Sequence, residues 1–266
     1  MADRALLVGI DSYPPTPLTQ LTGCVNDIND VSNFIVAKCG FDIASVRLLA
    51  NERATTDAVL DRLKWLVADA APGDRLFFHY SGHGGPFPTR NVNGNVDSVH
   101  ETICPYDFDW TRAHAIIDDD LRALFDSVPD GVVFIFVADC CCSGALTRAI
   151  HPYPSRMVPL PADIAWRLRT AQAKGIAVTP IQHDRCALIS GCEAGADKEA
   201  YETALNPPNG VLTYYLLQQL GLPGGLDKKL TDLIVYIDST VKTAQYDQIP
   251  QLNGPDFVIQ RGFLQK

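Results

Sequence analysis

The sequence predicts an α/β protein whose sheet is mostly parallel, with helices on both faces. Short and almost wholly apolar runs, such as ALLVGI (5–10) and VVFIFVAD (132–139), are typical of strands that are buried on both faces. Longer segments with apolar residues at helical spacing lie between these runs. Strands and helices therefore alternate along the chain, and this alternation favours a parallel sheet joined by crossover helices.

The elements are clearest in the first half of the chain, because polar residues mark the starts of its helices and glycines mark the ends of elements. The predicted elements are a strand at 5–10, a helix at 26–39 with Asn26 or Asp27 as its cap and Gly40 as its stop, a strand at 46–50, a helix at 55–70, and a strand that enters a glycine turn within 75–85.

The second half continues the pattern after a polar stretch. Its predicted elements are a helix at 118–128, strands at 132–139 and 186–192, helices at 209–221 and 229–244, and an apolar closing segment at 257–264. The segment HPYPSRMVPLPAD (151–163) carries four prolines, so we expect it to be extended and exposed.

We interpret residues 1–266 as one domain. Its parts are 1–150, a proline-containing connection at 151–185, and 186–266. A domain boundary at 151–163 is the alternative, but it would leave the strand at 186–192 in a small and poorly buried remainder.

Composition excludes several classes of partner. The formal net charge of -9 argues against nucleic acid and anionic membrane surfaces, which select basic patches, and agrees with a cationic substrate. The longest apolar run is far shorter than the roughly 18 residues that span a bilayer, and the first residues lack the pattern of a signal peptide. We therefore expect a soluble, cytoplasmic protein whose eight cysteines are thiols, metal ligands or catalysts.

Two predicted strands end in reactive residues, one in YSGHGG and one in ADCCCSG. Ligands of parallel α/β sheets bind outside the carboxyl ends of the strands, so His83 and the cysteines are expected at one edge. A cysteine nucleophile needs a base, and histidine suits that role at neutral pH. Alternation places Asp139 and Cys141 in one direction and the flanking cysteines in the other, but it does not choose between Cys141 and those neighbours.

These segments together resemble a known family. HYSGHGG (79–85) and DCCCSG (139–144) look like the motifs of the caspase-fold peptidases of family C14, specifically type I metacaspases and the bacterial orthocaspases. Further segments that match are LTGCVNDINDV (21–31), LKWLVADAAPGDRLFFHYSGHGG (63–85), IIDDDL (116–121), LISGC (188–192) and NGVLTYYLL (209–217). The resemblance implies a caspase-like (caspase–hemoglobinase) fold, with 1–150 resembling the large subunit, 186–266 the small subunit, and no prodomain.

The resemblance also implies the roles of the reactive residues. The nucleophile of the family is third in its motif, which is Cys141 here, and His83 is its base. The oxyanion would be held by the amides of Gly84 and Cys141, with glycine permitting the turn that aims one of them. Cys140 and Cys142 stand where the family has serine and histidine, and we interpret both as packing cysteines.

By the same resemblance the enzyme cuts polypeptides after arginine or lysine. The acidic pocket of the family matches Asp27 and Asp139, with Cys24 and Ser81 as its wall. A buried guanidinium needs paired carboxylates, whereas a preference for aspartate would need arginines that these segments lack. The basic residues after the nucleophile are interpreted as solvated charge, with self-cleavage in the proline-rich segment as a hypothesis; they include Arg148, Arg156, Arg167, Arg169, Lys174 and Arg185.

The chemistry itself needs no cofactor, but the resemblance implies Ca²⁺ as a possible activator. The matching carboxylates are Asp97, Asp118 and Asp119, while Arg148 stands where the family has a further aspartate. The alternative for Asp118 is a helix cap. The family resemblance further implies a monomer.

Two other functions remain as hypotheses. One is a catalytically silent caspase-fold module that binds partners, since Cys140, Cys142 and Arg148 depart from the family motif. The other is a peptidase of the same fold that prefers aspartate or asparagine.

Overall fold

The structure is a computed structural model that describes residues 2–14, 18–141, 153–181, 183–192 and 199–265. The strands in these ranges are β1 (Asp3–Gly9), β2 (Val46–Ala50), β3 (Arg75–Ser81), β4 (Gly84–Arg90), β5 (Val96–Ile103), β6 (Ile116–Ile117), β7 (Val133–Asp139), β8 (Val178–Thr179), β9 (Ala187–Ser190) and β10 (Gln251–Asn253). The helices are α1 (Cys24–Cys39), α2 (Thr56–Val67), α3 (Asp118–Phe125), α4 (Ala162–Ala173), α5 (Val211–Gly221), α6 (Leu230–Thr243) and α7 (Asp256–Ile259).

The central sheet has six strands in the order β10-β9-β7-β3-β1-β2. All neighbours are parallel except β10, which runs antiparallel to β9. The predicted α/β class with a mostly parallel sheet is therefore confirmed. Strands β3 and β7 pair along their whole length, and the last pair of this register is Ser81 with Asp139.

Helices cover both faces of this sheet, because successive side chains of each strand point to opposite sides. Leu6 belongs to the core beneath α2 and α3, whereas its neighbour Leu7 belongs to the core beneath α1, α5 and α6. In the first core, Phe78 of β3 stacks on Phe136 of β7 with ring centroids 4.4 Å apart. The two cores pack against opposite faces of the sheet, so β3 and β7 are buried on both faces.

A second, smaller sheet was not predicted. The chain leaves the turn after β3 as a hairpin of β4 and β5, and β5 also pairs with β6 and β8. Helix α4 was likewise missed; it begins right after Pro161, inside the proline-rich segment that we expected to be a connection. Among the described residues, no helix combines the length and apolar composition needed to cross a bilayer.

Helix α1 ends where the sequence predicts, at Gly40 in the left-handed conformation (φ 72°), but its predicted caps are wrong. The helix begins at Cys24, two residues before Asn26, so Asp27 lies in its first turn. The free amides at this end are bound by carboxylates of other segments. Glu202 accepts from the Thr22 and Gly23 amides, and Asp11 accepts from those of Cys24 and Val25.

Candidate active site

The candidate catalytic residues lie at the carboxyl edge of two adjacent strands. His83 follows β3 and Cys141 follows β7, each two residues beyond the paired positions Ser81 and Asp139. Two tyrosines hold the turn that carries the imidazole. The Tyr80 hydroxyl donates to the His83 carbonyl at 2.7 Å, and the Tyr13 hydroxyl accepts from the His83 amide at 2.9 Å. Sequence reasoning missed both tyrosines, although Tyr80 lies within the quoted motif.

The His83 ring is buried and contacts Thr19 and Tyr13. Its Nε2 lies 2.6 Å from the Thr19 carbonyl oxygen, and its ring centroid lies 5.1 Å from that of Tyr13. Burial lowers the pKa of His83, and the nearby carbonyl oxygens of Thr19 and Arg156 oppose that shift. The imidazole is therefore neutral at pH 7, which is the form that accepts a proton.

The Cys141 thiol is buried at the end of β7. Its Sγ accepts a hydrogen bond from the Ala200 amide at 3.0 Å, and the hydrogen bonds of these described residues do not join it to His83. Burial raises the pKa of Cys141 well above its usual value, with the neighbouring Cys192 acting in the same direction. The structure thus brings the two residues to one edge, and the raised pKa of the thiol favours the protonated sulfur.

Gly84 is needed for a close approach of backbone segments. A Cβ at this position would collide with the Cys141 carbonyl oxygen and would lie 3.0 Å from the Cys140 sulfur. The residue is the first of β4 and does not have a left-handed φ, so the structure requires a glycine here for the close approach of the Cys141 backbone. Its amide donates to the Arg156 carbonyl oxygen at 3.1 Å.

Cys140 is fully buried in the core cluster beneath α2 and α3, as a packing cysteine would be. Cys142 and Arg148 lie outside the described residues.

Three of the predicted pocket residues surround one guanidinium. The side chain of Arg156 is fully buried, with Nη2 3.0 Å from Asp27 Oδ2 and Nη1 3.2 Å from Asp139 Oδ1. Nη1 also donates to the Ser81 hydroxyl at 2.7 Å, and Nη2 lies 3.6 Å from Glu202 Oε1. The interpretation of Arg156 as solvated charge is therefore wrong. The extended proline-rich segment is also buried at 156–158 rather than exposed.

The carboxylates of this pocket are held in place by further hydrogen bonds. Asp27 accepts hydrogen bonds from the Ser81 hydroxyl at 2.6 Å and from the Gly210 amide at 2.9 Å. Asp139 accepts from both the amide and the hydroxyl of Thr213, in the first turn of α5, where the helix dipole favours an anion.

The fourth predicted pocket residue, Cys24, is also buried. Its sulfur lies within 4.8 Å of carboxylate oxygens of Asp11 and Glu202. Sequence reasoning missed Glu202, because nothing in its local segment marks it as a partner of residues about 180 positions away.

The pocket carries an excess of negative charge, since three carboxylates face one guanidinium. Burial raises the pKa of Asp27 to about 7, the charge of Asp139 adds to this, and Arg156 opposes it. Burial alone would lower the pKa of Arg156, but the surrounding carboxylates raise it instead. A cation in this pocket is therefore held by electrostatic attraction as well as by hydrogen bonds.

The predicted calcium residues are only partly together. Asp118 Oδ1 lies 2.6 Å from His100 Nδ1, and Asp119 Oδ2 lies 3.9 Å from the same nitrogen. Asp97 instead accepts a hydrogen bond from the Thr89 hydroxyl at 3.2 Å. Calcium takes six to eight oxygen ligands, and two carboxylates beside an imidazole do not supply such a set. Calcium activation stays a prediction.

Comparisons with known proteins find relatives in sequence and in fold. The family model described as "Metacaspase, peptidase C14 domain" matches residues 3–149. The chain is 35% identical over 162 residues to Metacaspase-1 of Meyerozyma guilliermondii, covering 58% of this chain and 38% of that protein. It is 38% identical over 163 residues to Metacaspase-1 of Schizosaccharomyces pombe, covering 58% of this chain and 37% of that protein. The chain thus spans less than two fifths of the length of these curated relatives.

Two solved structures are similar over nearly the whole chain. Protein GSU0716 from Geobacter sulfurreducens superposes with a TM-score of 0.71 at 26% identity, covering 98% of both chains. The structure titled pro-sf-caspase-1 superposes with a TM-score of 0.61 at 14% identity, covering 99% of this chain and 90% of that chain, and shows likeness of fold alone.

Proposed function

Because this chain belongs to the metacaspase family of C14 peptidases, we propose that it is a cysteine endopeptidase that cleaves polypeptides after arginine or lysine. The observation that carries this proposal is the buried acidic pocket beside the candidate dyad. Asp27 and Asp139 flank a guanidinium there at 3.0 and 3.2 Å, so the pocket has the size, charge and hydrogen-bond acceptors that a substrate arginine requires.

The proposed reaction uses Cys141 as nucleophile and His83 as base. The thiol turns away from the Ala200 amide, gives its proton to the imidazole and attacks the carbonyl carbon of the substrate arginine. The amides of Gly84 and Cys141 stabilise the oxyanion. The imidazolium then protonates the leaving amine, and water hydrolyses the thioester.

Arginine should be preferred to lysine in this pocket. A planar guanidinium satisfies Asp27, Asp139 and the Ser81 hydroxyl together, as Arg156 does, whereas an ammonium is a compact point charge with three donors. An aspartate preference is disfavoured even though an arginine lies in the pocket. The guanidinium of Arg156 is already neutralised by carboxylates, and an acidic substrate would meet their excess negative charge.

The test is hydrolysis of matched fluorogenic peptides that end in Arg, Lys, Asp or Asn, with and without millimolar calcium. We expect turnover of the Arg peptide, slower turnover of the Lys peptide, and loss of both by at least 10³-fold in Cys141→Ala. Cys140→Ser is the matched control, because it changes the neighbouring sulfur and should retain activity within a few fold. The calcium arm measures whether the metal activates.

Turnover of only the Asp or Asn peptides would contradict the proposed specificity and keep the dyad. The second candidate function, a silent binding module, is favoured by one observation: the Cys141 sulfur accepts from the Ala200 amide and, among the described residues, is not hydrogen-bonded to His83. Failure to hydrolyse any peptide, together with failure of an arginyl chloromethyl ketone to label Cys141, would support that module and overturn the peptidase.

A further inference from the structure

A pocket of about 420 Å³ is lined by side chains that the proposed reaction does not use. Its volume falls in the range of pockets that bind ligands in proteins. Apolar and aromatic side chains form most of the lining, and three charged residues complete it. The apolar set is Leu18, Phe108, Trp110, Pro161 and Ile164.

Two walls of this apolar pocket start at the turn that carries His83. Leu18 precedes Thr19, whose carbonyl oxygen lies 2.6 Å from His83 Nε2. Phe108 lies four residues after Cys104, whose amide donates to the His83 carbonyl at 3.0 Å. The apolar pocket therefore begins about one residue away from the candidate base.

The third wall starts at the proposed oxyanion donor, Gly84. The Val158 amide donates to the Gly84 carbonyl at 2.9 Å, and Pro161 lies three residues further along the chain. Three residues span at most about 11 Å, so this wall also lies close to the reactive edge. A peptide that extends from the oxyanion site reaches the apolar pocket within four residues.

The acidic pocket and the apolar pocket lie on opposite faces of the sheet. Asp27 belongs to α1, and the Asp139 carboxylate is bound at the start of α5. Leu18 and Phe108 belong instead to the core beneath α2 and α3. In the proposed reaction His83 protonates the leaving amine, so the peptide after the cut departs on the side of the imidazole. A substrate whose arginine occupies the acidic pocket thus directs its leaving segment towards the apolar pocket.

Two features of Trp110 are unfavourable for folding alone. Its backbone has a left-handed φ of 68°, which is an outlier for a bulky residue. Its Nε1–H has no acceptor among the described residues, although a buried indole N–H usually finds one. The ring is nevertheless held in place, because it stacks on Phe87 with centroids 6.3 Å apart and meets Phe108 edge-on at 5.0 Å. Strained residues of this kind concentrate at sites that clamp ligands.

The charged residues of the lining are already paired. Arg167 Nη2 donates to Asp163 Oδ2 at 2.8 Å, one turn along α4. Asp109 accepts from the Thr111 amide at 2.9 Å and lies 2.9 Å from His114 Nδ1. An apolar pocket with paired charges around it favours an uncharged side chain over a charged one, as in the centre of a protein interface.

From this arrangement we infer that the apolar pocket is a substrate subsite, and that it takes a large apolar or aromatic side chain from one of the first four residues after the cut. The inference rests on the proposed function and adds a second determinant of specificity, on the leaving side of the scissile bond. Trp110 is the specificity-determining residue, because its ring forms a fixed wall against which the substrate side chain packs.

The test uses internally quenched peptides of equal length that contain a single arginine. They differ only in carrying phenylalanine or alanine at one of the four positions after it. For wild type, one phenylalanine peptide should be cleaved with a kcat/KM at least tenfold higher than that of its alanine counterpart. The fluorogenic Arg peptide, whose leaving group is a dye, reports the dyad and the acidic pocket without a leaving segment.

Trp110→Asn should bring the ratio of the two kcat/KM values close to one. Asparagine tolerates the left-handed backbone and removes only the ring. A purely structural role of Trp110 would lower kcat/KM for both peptides and leave their ratio unchanged. Trp166→Asn is the matched control, because Trp166 is 65% exposed on α4 and lies outside the pocket. This control should keep the wild-type ratio.

Trp110→Asn can fail to fold, so Ile164→Phe is the second variant. It keeps the wall formed by Trp110 and adds a ring where the substrate side chain would lie. The phenylalanine peptide should lose its advantage over the alanine peptide by at least fivefold. Circular dichroism and thermal unfolding check that each variant is folded.

The outcomes separate this inference from the proposed function. Wild type that hydrolyses the fluorogenic Arg peptide without preferring phenylalanine at any of the four positions overturns the subsite alone. A preference that a folded Trp110→Asn or Ile164→Phe variant retains in full also overturns it. Wild type that cleaves none of these substrates overturns the proposed function and the inference with it.

Discussion

Gly84 combines two roles at the residue scale, because its amide faces the Arg156 carbonyl and its missing side chain makes room for the backbone of Cys141. Gly210 is constrained in the same way. A Cβ there would collide with the Asp139 carboxylate and the Arg156 guanidinium. Both glycines allow one part of the chain to approach another, so their substitution should affect the site before it affects the fold.

Gly84→Ala is therefore expected to lower kcat for the Arg peptide by 10²-fold or more, since one oxyanion donor is displaced. Gly221→Ala is the matched control, because a Cβ at Gly221, the last residue of α5, meets open space. The control should keep wild-type kinetics. Equal kcat in Gly84→Ala and wild type would remove this amide from the proposed mechanism.

Helix α1 is the element that ties the site to the rest of the fold. Its first turn carries Asp27, and its free amides are bound by Asp11 and Glu202 rather than by its own residues. Glu202 accepts two amides and the Thr22 hydroxyl, and it also approaches Arg156 at 3.6 Å. The position of the pocket carboxylate thus depends on a segment far along the chain.

Removing the carboxylates of Asp11 and Glu202 should lower the free energy of unfolding by unequal amounts. Asp11→Ala should lower the free energy of unfolding by about 1 kcal/mol, the usual cost of a lost cap. Glu202→Ala should cost about 3 kcal/mol, because it leaves buried donors and a buried cation less well satisfied. Urea unfolding measures both, with exposed Glu52→Ala as a control within about 0.5 kcal/mol of wild type. Equal losses in the Asp11 and Glu202 variants would contradict the role given to Glu202.

At the scale of the whole molecule, the fold buries ionisable groups whose protonation shifts the free energy of unfolding in opposite directions. Burial lowers the pKa of His79 to about 3 and that of His183 to about 4. Burial raises the pKa of Asp27 to about 7 and that of Glu101 to about 8. On acidification the unfolded chain gains protons at the histidines, which lowers the free energy of unfolding. The folded chain gains protons at the two carboxyls, which raises it, so the two effects partly cancel in the net stability.

The variant His79→Gln isolates the effect of one histidine. His79 Nε2 lies 3.0 Å from the Thr213 hydroxyl, which itself donates to Asp139, so the histidine is a neutral donor. The stabilising advantage of wild type over His79→Gln should shrink by about 1.6 kcal/mol between pH 6.5 and pH 5, because only the unfolded histidine is protonated there. Denaturant unfolding of both proteins at the two pH values measures it. A difference that does not change with pH would mean that the folded state also protonates His79.

Hydrophobic patterning was enough to predict the α/β class, the strands that carry His83 and Cys141, and the meeting of both at one edge. These follow from short-range periodicity and from the rule that parallel strands end together. The acidic pocket residues Asp27, Ser81 and Asp139 came from the family resemblance, and the structure brings them together. The β4–β5 hairpin was missed because its strands contain prolines and polar residues that conceal the alternation.

The tertiary structure alone decided what fills the pocket and what caps α1. Arg156 reaches Asp27 across 129 positions, and Glu202 reaches Gly23 across 179. Such pairs leave no local pattern in the sequence. The residues next to a charged residue along the chain do not indicate whether its side chain is buried or solvated in the folded protein. The sequence by itself therefore determined the fold class and the reactive edge. Only packing between distant segments decided that the chain holds its own arginine in the site.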